Sequence, residues 1–346
     1  MAKEPFKEKI RVSSGTAIVL GLLRGRLDAQ PTTAYLLTYR PGRCSANCSF
    51  CPQAKSSRSR ADALSRVTWP LFPTPQVITK IEEAVKTHQI SRVCLQTLND
   101  PTIFMEILGL TRAILSRVNV PISVSCQPLD QDKMQTLADA GIDRITIPLD
   151  AANKELFETV KGRRVGGPYV WETQLQALRT AVEIMGRGHV GTHLIVGLGE
   201  TEREITERIQ WCVDNGVYPG LFAFTPIPGT FLEKRAQPPL ASYRRLQVAH
   251  DLLTTRKTEY NKMHFRADGT IIDFGVSQSQ LLQTIDEGSP FETSGCPGCN
   301  RPYYNEKPSG PIYNYPRPPL SEEIIEIKRQ LGVRSPIRLG ASHYQD

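Results

Sequence analysis

Short apolar runs alternate with helical patterns along most of the chain, and this alternation restricts the fold more than any other feature. Residues 34–39, 92–95, 122–125, 144–147, 190–196 and 221–224 read as strands, with weaker candidates at 264–266 and 271–274. Helical patterns fill the intervals. Val77, Ile78, Ile81 and Val85 fall at helical spacing, and 131–140 is closed by Gly141. Thr201-Glu-Arg-Glu204 is a capping-box signature, and Gly216 can end the helix that it starts. Repeated β-then-α units imply an α/β protein with a parallel sheet covered by helices. The count predicts a (β/α)8 TIM-type barrel, or a six-unit partial barrel with an altered end, over residues 31–285. Residues 1–30 read as an N-terminal helical preface. Residues 286–346 read as a C-terminal extension, dense in proline and glycine from Ser289 to Pro319 and ending in a helix over 320–331. Its interleaved Phe291, Tyr303, Tyr304, Tyr313 and Tyr315 argue that it packs on something.

The chain has no apolar run long enough to span a bilayer, and its start lacks the apolar core of a signal peptide. These features predict a cytoplasmic protein without membrane association. The net charge of +7 favours an acidic partner, but no concentrated basic tract argues for nucleic acid. Eight cysteines without a secretion signal point to metal or redox use rather than to a disulfide framework.

Cys44-Ser-Ala-Asn-Cys48-Ser-Phe-Cys51 follows the first predicted strand. Its spacing offers three thiolates from one loop, at the barrel face where active sites are built. Three ligands for the four irons of a [4Fe–4S] cluster leave one iron open to a small molecule. Phe50, beside the third cysteine, can cover the cluster or a bound base. A structural zinc site is the alternative, but it has no obvious local fourth ligand.

The motif, its position and its β/α context resemble the radical S-adenosylmethionine (SAM) superfamily, and within it the biotin-synthase-like group. Cys51-Pro52-Gln53 is similar to the end of that group's cluster loop. Ile195-Val196-Gly197-Leu198-Gly199-Glu200-Thr201 is similar to its fifth-strand SAM motif, and Leu149-Asp150 resembles a pair near SAM ribose and substrate. The resemblance implies that the open iron chelates SAM, that one electron cleaves it to a 5′-deoxyadenosyl radical, and that an electron donor such as ferredoxin is needed. Asp150, Ile195, Gly197 and Glu200 are the implied cofactor-binding residues. His193 stands where the related motif has glycine; contact with SAM or substrate and a packed histidine are equally open readings. Gly197 and Gly199 permit close backbone approach at a strand end, and Glu200 can begin a helix.

In biotin synthase, positions matching Cys94 and Cys126 hold an auxiliary cluster that donates sulfur. The matching third ligand falls at Gly191, and the position of a late-strand arginine is taken by Thr270 or Ile271. Cys296 and Cys299 form a C-x2-C knuckle in the C-terminal extension, so Cys94, Cys126, Cys296 and Cys299 together would complete a second, four-thiolate [4Fe–4S] site. Inert core thiols and a surface zinc site are the alternatives. The knuckle and the following 301–317 segment resemble the archaeal-type two-protein lipoyl synthases. That resemblance implies sulfur insertion into an octanoyl chain on a lipoyl carrier protein or peptide, with a second radical SAM subunit as partner. Rearrangement or methylation by a related enzyme, and a non-catalytic iron–sulfur or zinc module, are the competing functions. Cys212 shares a helical stripe with Ile205, Ile209 and Val213, so it reads as core. Lys161-Gly-Arg-Arg164 reads as a solvated charge run, or as a site for a carboxylate or a carrier surface.

Overall fold

A computed structural model of the chain describes residues 6–333; the parts of the expected preface and extension at 1–5 and 334–346 lie outside them. The elements in order are β1 (Lys9–Val12), α1 (Ser14–Val19), β2 (Thr33–Leu37), β3 (Ala63–Leu64), β4 (Val67–Thr68), β5 (Leu71–Pro73), α2 (Thr74–Lys86), β6 (Arg92–Gln96) and α3 (Ile103–Leu115). There follow β7 (Ile122–Ser125), α4 (Gln131–Asp139), β8 (Arg144–Thr146), α5 (Lys154–Val160), α6 (Trp171–Met185), β9 (Val190–Val196), α7 (Glu202–Asp214) and β10 (Val217–Ala223). The last are α8 (Leu240–Thr254), β11 (His264–Phe265), β12 (Ile271–Asp273), α9 (Gln278–Glu287) and α10 (Ser321–Leu331).

One eight-stranded sheet has the order β10-β9-β8-β7-β6-β2-β1-β5. The six strands from β2 to β10 run parallel, each joined to the next by a helical crossover. β1 and β5 add on antiparallel. Of the two expected forms, the chain therefore takes the six-unit partial barrel, and the sheet does not close.

Two expectations are corrected. Residues 264–266 and 271–274 do not extend the sheet; β11 and β12 pair with each other, because Asp268-Gly269 turns the chain back between them. The preface is not simply helical. Ile10 and Val12 are buried in β1, and only the six-residue α1, capped by the Ser13 hydroxyl, follows. The capping box at Thr201 forms as expected: its hydroxyl accepts from the Glu204 N–H, and Glu204 reaches back to the Thr201 N–H.

The proline-rich extension docks along the barrel rather than hanging as a linker. Arg244 of α8 is buried, and its guanidinium donates to the carbonyls of Tyr313 and Ile312 at 2.7 and 2.5 Å. It lies 5.6 and 5.4 Å from the ring centres of Phe291 and Tyr315. Tyr313 donates to Pro238 O, and Tyr243 to Asn314 Oδ1. Farther on, the Leu221 N–H of β10 donates to Ser294 Oγ at 2.7 Å, and the Thr32 N–H before β2 donates to Asn300 Oδ1 at 3.0 Å. Residues 294–300 thus bridge β10 and β2 across the open side of the sheet. The aromatic side chains that marked this segment are what seat it.

Glu306, in the same segment, is buried, and its Oε2 has no hydrogen-bond partner among the described residues. Burial raises its pKa to about 8, with Arg301, Arg244 and Arg66 opposing. The folded chain keeps a proton that the unfolded chain releases from about pH 4.5 upward, so stability is lost as pH rises from there through about 8. Glu306→Gln removes this loss. In thermal unfolding the variant should be more stable than the parent at pH 8, by on the order of a few kcal/mol, with the difference vanishing below about pH 4.5.

Candidate functional site

Successive strand residues point to opposite faces, and the inward set lines a cavity of about 250 Å³. Tyr35, Cys94 and Ser123 are register partners across β2, β6 and β7. His193 and Ile195 of β9, with Phe222 of β10, line the same cavity, as do Phe50, Cys44, Cys48 and Cys51.

The loop after β2 brings the three expected thiols to this cavity as free cysteines. Cys44 Sγ accepts the Asn99 N–H at 3.1 Å. Cys51 N–H donates to Cys48 O at 3.0 Å, a tight turn that carries Phe50 between the two cysteines. Gln53 pins the end of the loop by donating to Ala61 O and Ala63 O at 2.8 and 2.6 Å. Burial pushes the Cys48 thiol well up, with Lys161 opposing, and takes Cys51 to about 12. Thiols so buried stay protonated until a metal displaces the proton. Three soft donors on one pinned loop, facing a cavity with room beyond them, fit a cluster that keeps one iron open.

Asp150 adopts φ 66°, a left-handed conformation that an aspartate tolerates. Its backbone bridges to β9, donating to His193 O and accepting from Ile195 N–H. Its carboxylate meets Lys161 Nζ at 2.7 Å. Lys161 is fully buried, also donates to Pro148 O, and lies 5.1 Å from the Tyr169 ring centre. The reading of 161–164 as a solvated run is therefore corrected for Lys161, although Arg163 and Arg164 are exposed. The preceding α5 carries Phe157 and Val160 into the core, and this turns Lys161 inward too.

Glu200 does not begin the helix; Thr201 caps it. The Glu200 carboxylate instead accepts the N–H groups of Gly197, Leu198 and Gly199 at 2.6, 3.0 and 3.0 Å. Burial raises its pKa, and these bonds oppose the rise. It shapes the loop from within. Gly197 has φ 106°, and a Cβ there would stand 2.9 Å from Pro238 Cδ, so only glycine fits. His193 packs on Phe222, ring centres 4.7 Å apart. Burial lowers its pKa to about 4, with Asp150 opposing and Arg301 and Lys161 adding, so it is neutral at pH 7.

Three of the four cysteines expected at the second site come together. Cys94 has its pKa raised well above normal by burial, then by Cys296 and Cys299. Cys299 Sγ lies 3.1 Å from the Tyr35 hydroxyl, and Cys296 Sγ lies 3.3 Å from Ser123 Oγ. Cys126, just past β7, lines the same cavity and packs in the main core, and its thiol is pushed up to about 12 by burial, with no other thiol contributing. At Gly191 a Cβ would lie 3.3 Å from both Thr146 Oγ1 and Tyr218 O, which leaves little room for a third strand ligand. Among the described residues, no three His, Cys, Asp or Glu side chains converge as if on one metal ion. A cluster sets each thiolate on its own iron and so holds its ligands farther apart than zinc does. Cys212 is buried on α7, as its stripe predicted.

Sequence reasoning missed Arg301. Its guanidinium lies 3.8 Å from the Phe222 ring centre, and its backbone N–H donates to the Tyr35 hydroxyl at 2.9 Å. It adds positive charge near Cys94. Nothing periodic marks it; only its adjacency to the C-x2-C knuckle could have drawn notice.

A family model described as the Radical SAM superfamily matches residues 39–212, half of the chain. The biotin synthase of Desulforudis audaxviator is 29% identical over 217 residues, covering 62% of this chain and 61% of that protein. The biotin synthase of Persephonella marina is 25% identical over 206 residues, covering 58% and 57%. The chain thus spans less than two thirds of these relatives' length. Among solved structures, methylornithine synthase (PylB) superposes with a TM-score of 0.51 at 16% identity, covering 70% of this chain and 77% of that one. The FeFe-hydrogenase maturase HydG of Carboxydothermus hydrogenoformans gives 0.50 at 17% identity, covering 65% and 52%. These two show a shared fold. Among the described residues no helix is long and apolar enough to cross a membrane. With its three-cysteine loop at the mouth of a six-unit partial barrel and the family match over the same residues, the chain belongs to the radical SAM superfamily, and its sequence is similar to biotin synthases.

Proposed function

We propose that the protein is a sulfur-inserting radical SAM enzyme of the cytoplasm, one component of a two-protein lipoyl synthase that acts on an octanoyl chain held by a carrier. The observation that carries this reading is the meeting of Cys94, Cys296 and Cys299 at the cavity that also holds Cys44, Cys48 and Cys51. A rearrangement or a methylation needs no second set of thiols at that place.

In this reading Cys44, Cys48 and Cys51 hold the first [4Fe–4S] cluster. Cys94, Cys296 and Cys299 hold the second, with the Tyr35 and Ser123 oxygens beside them. The first cluster, when bound, would supply the one-electron reduction that SAM cleavage requires. The chain's own residues bind and exclude. Lys161 fixes the Asp150 carboxylate, leaving its other oxygen for a ribose hydroxyl. Glu200 holds the Gly197–Gly199 turn in shape. Neutral His193 and Phe222 form a dry wall, over which Arg301 is stacked, and the docked extension closes the side of the cavity against water. The test is to incubate the reconstituted protein, with SAM and reductant, with an octanoyl-lysine peptide and to weigh the products. A peptide heavier by one or two sulfur atoms is expected. SAM cleavage with a methylated or rearranged peptide would favour the competing reactions.

A further inference from the structure

We propose that the basic rim tipped by Phe231, beside the cluster loop, docks an acidic protein domain that reaches into the cavity with a long acylated side chain. This rests on the carrier-bound substrate proposed above. Phe231 is 82% exposed, more than any other large apolar side chain among the described residues. It sits in the segment between β10 and α8, which is held tightly rather than loosely. Arg58 N–H and Ser57 Oγ donate to Gly229 O at 2.8 and 3.2 Å, and Leu232 N–H donates to Ser49 O at 3.2 Å. Gly229 has φ 83°, and a Cβ there would lie 2.5 Å from Ser59 N, so the two loops touch backbone to backbone. The rim is therefore fixed to the same loop that carries Cys44, Cys48 and Cys51.

Lys55, Arg58, Lys234 and Arg235 are exposed around this contact. None forms an ion pair among the described residues. The one acidic residue of the segment from Gly229 to Arg235, Glu233, is turned back to accept the Gly229 N–H at 2.6 Å. The rim thus presents four cations against one carboxylate around an exposed aromatic. An aromatic anchor within a charged surround suits a protein interface, and its charge steers an acidic partner. Lys55, Arg58, Phe231 and Lys234 do not line the cavity. Whatever they hold stays outside while an arm enters, which describes a folded domain with a flexible modified side chain rather than a small free substrate.

The experiment uses the reconstituted full chain and a folded acidic carrier domain bearing octanoyl-lysine. Binding is measured by calorimetry, and 5′-deoxyadenosine formation is measured with a short octanoyl-lysine peptide. Phe231→Ser should weaken carrier binding roughly tenfold, and Lys55→Glu with Arg58→Glu and Lys234→Glu roughly a hundredfold. Wild-type binding should weaken with salt. Turnover of the short peptide should be unchanged in both variants. Carrier binding that is absent in the wild type, or equal in all three proteins, overturns the proposal. So does occupation of this face by a second copy of the chain or by RNA, seen as self-association or RNA binding lost in the variants. A carrier that binds through the rim but receives no sulfur leaves the surface standing and refutes the proposed reaction.

Discussion

Changing Cys44, Cys48 and Cys51 together to alanine is expected to abolish 5′-deoxyadenosine formation. The three thiols come from one loop, so no other donor at the cavity replaces them. His193 is engaged with Phe222, and Cys94 belongs to the other thiol group. A cluster needs cysteine thiolates to remain bound, and its electron reaches SAM only while SAM is on it. The loop itself should keep its shape. It is pinned by Gln53 to Ala61 and Ala63 and by the Ser49 N–H to Val160 O, and none of these three bonds uses a thiol. The loss should therefore appear in anaerobic product analysis without a matching loss in thermal stability. Cys212→Ala is the control: buried on α7 away from the cavity, it should lower stability slightly and leave SAM cleavage intact. A triple variant that still forms 5′-deoxyadenosine under reducing conditions would remove this loop from the chemistry.

Much of the fold was legible because short, largely apolar strand segments alternate with helical patterns, as a parallel sheet covered by helices requires. The strands at 122–125 and 190–196 match the structure residue for residue. The errors have local causes. β11 and β12 look like barrel strands by composition, but the Asp268-Gly269 turn folds them onto each other. β1 is four residues long and draws its partners, β2 and β5, from later in the chain, so nothing nearby signals it. The cluster loop was fully legible, since its three donors are close in sequence. The second thiol group was only partly so. Cys94 lies in a strand and Cys126 just past one, and both line the cavity, but only Cys94 is raised by the knuckle thiols as well as by burial. Arg301 was invisible as a site residue, and Lys161 was read as solvated or as a carboxylate site, because burial decides their role. One is a lysine at a helix end turned inward, and the other is an arginine brought over the cavity by a segment that resembles a linker.

The second large effect concerns that segment. Cys296 and Cys299 enter the cavity only because the extension bridges β10 and β2, seated by Ser294, Asn300 and the Arg244 contacts. None of those anchors uses the knuckle thiols, so a Cys296→Ala, Cys299→Ala variant should keep the extension docked and the first cluster intact. Cys94 alone cannot retain a cluster. The measurement is iron and sulfide content of the reconstituted double variant, read beside 5′-deoxyadenosine and sulfur-containing product from the octanoyl-lysine peptide. The account predicts about half the iron of the parent, continued SAM cleavage and no sulfur insertion. Full iron content, or zinc at the knuckle with sulfur insertion intact, would contradict it.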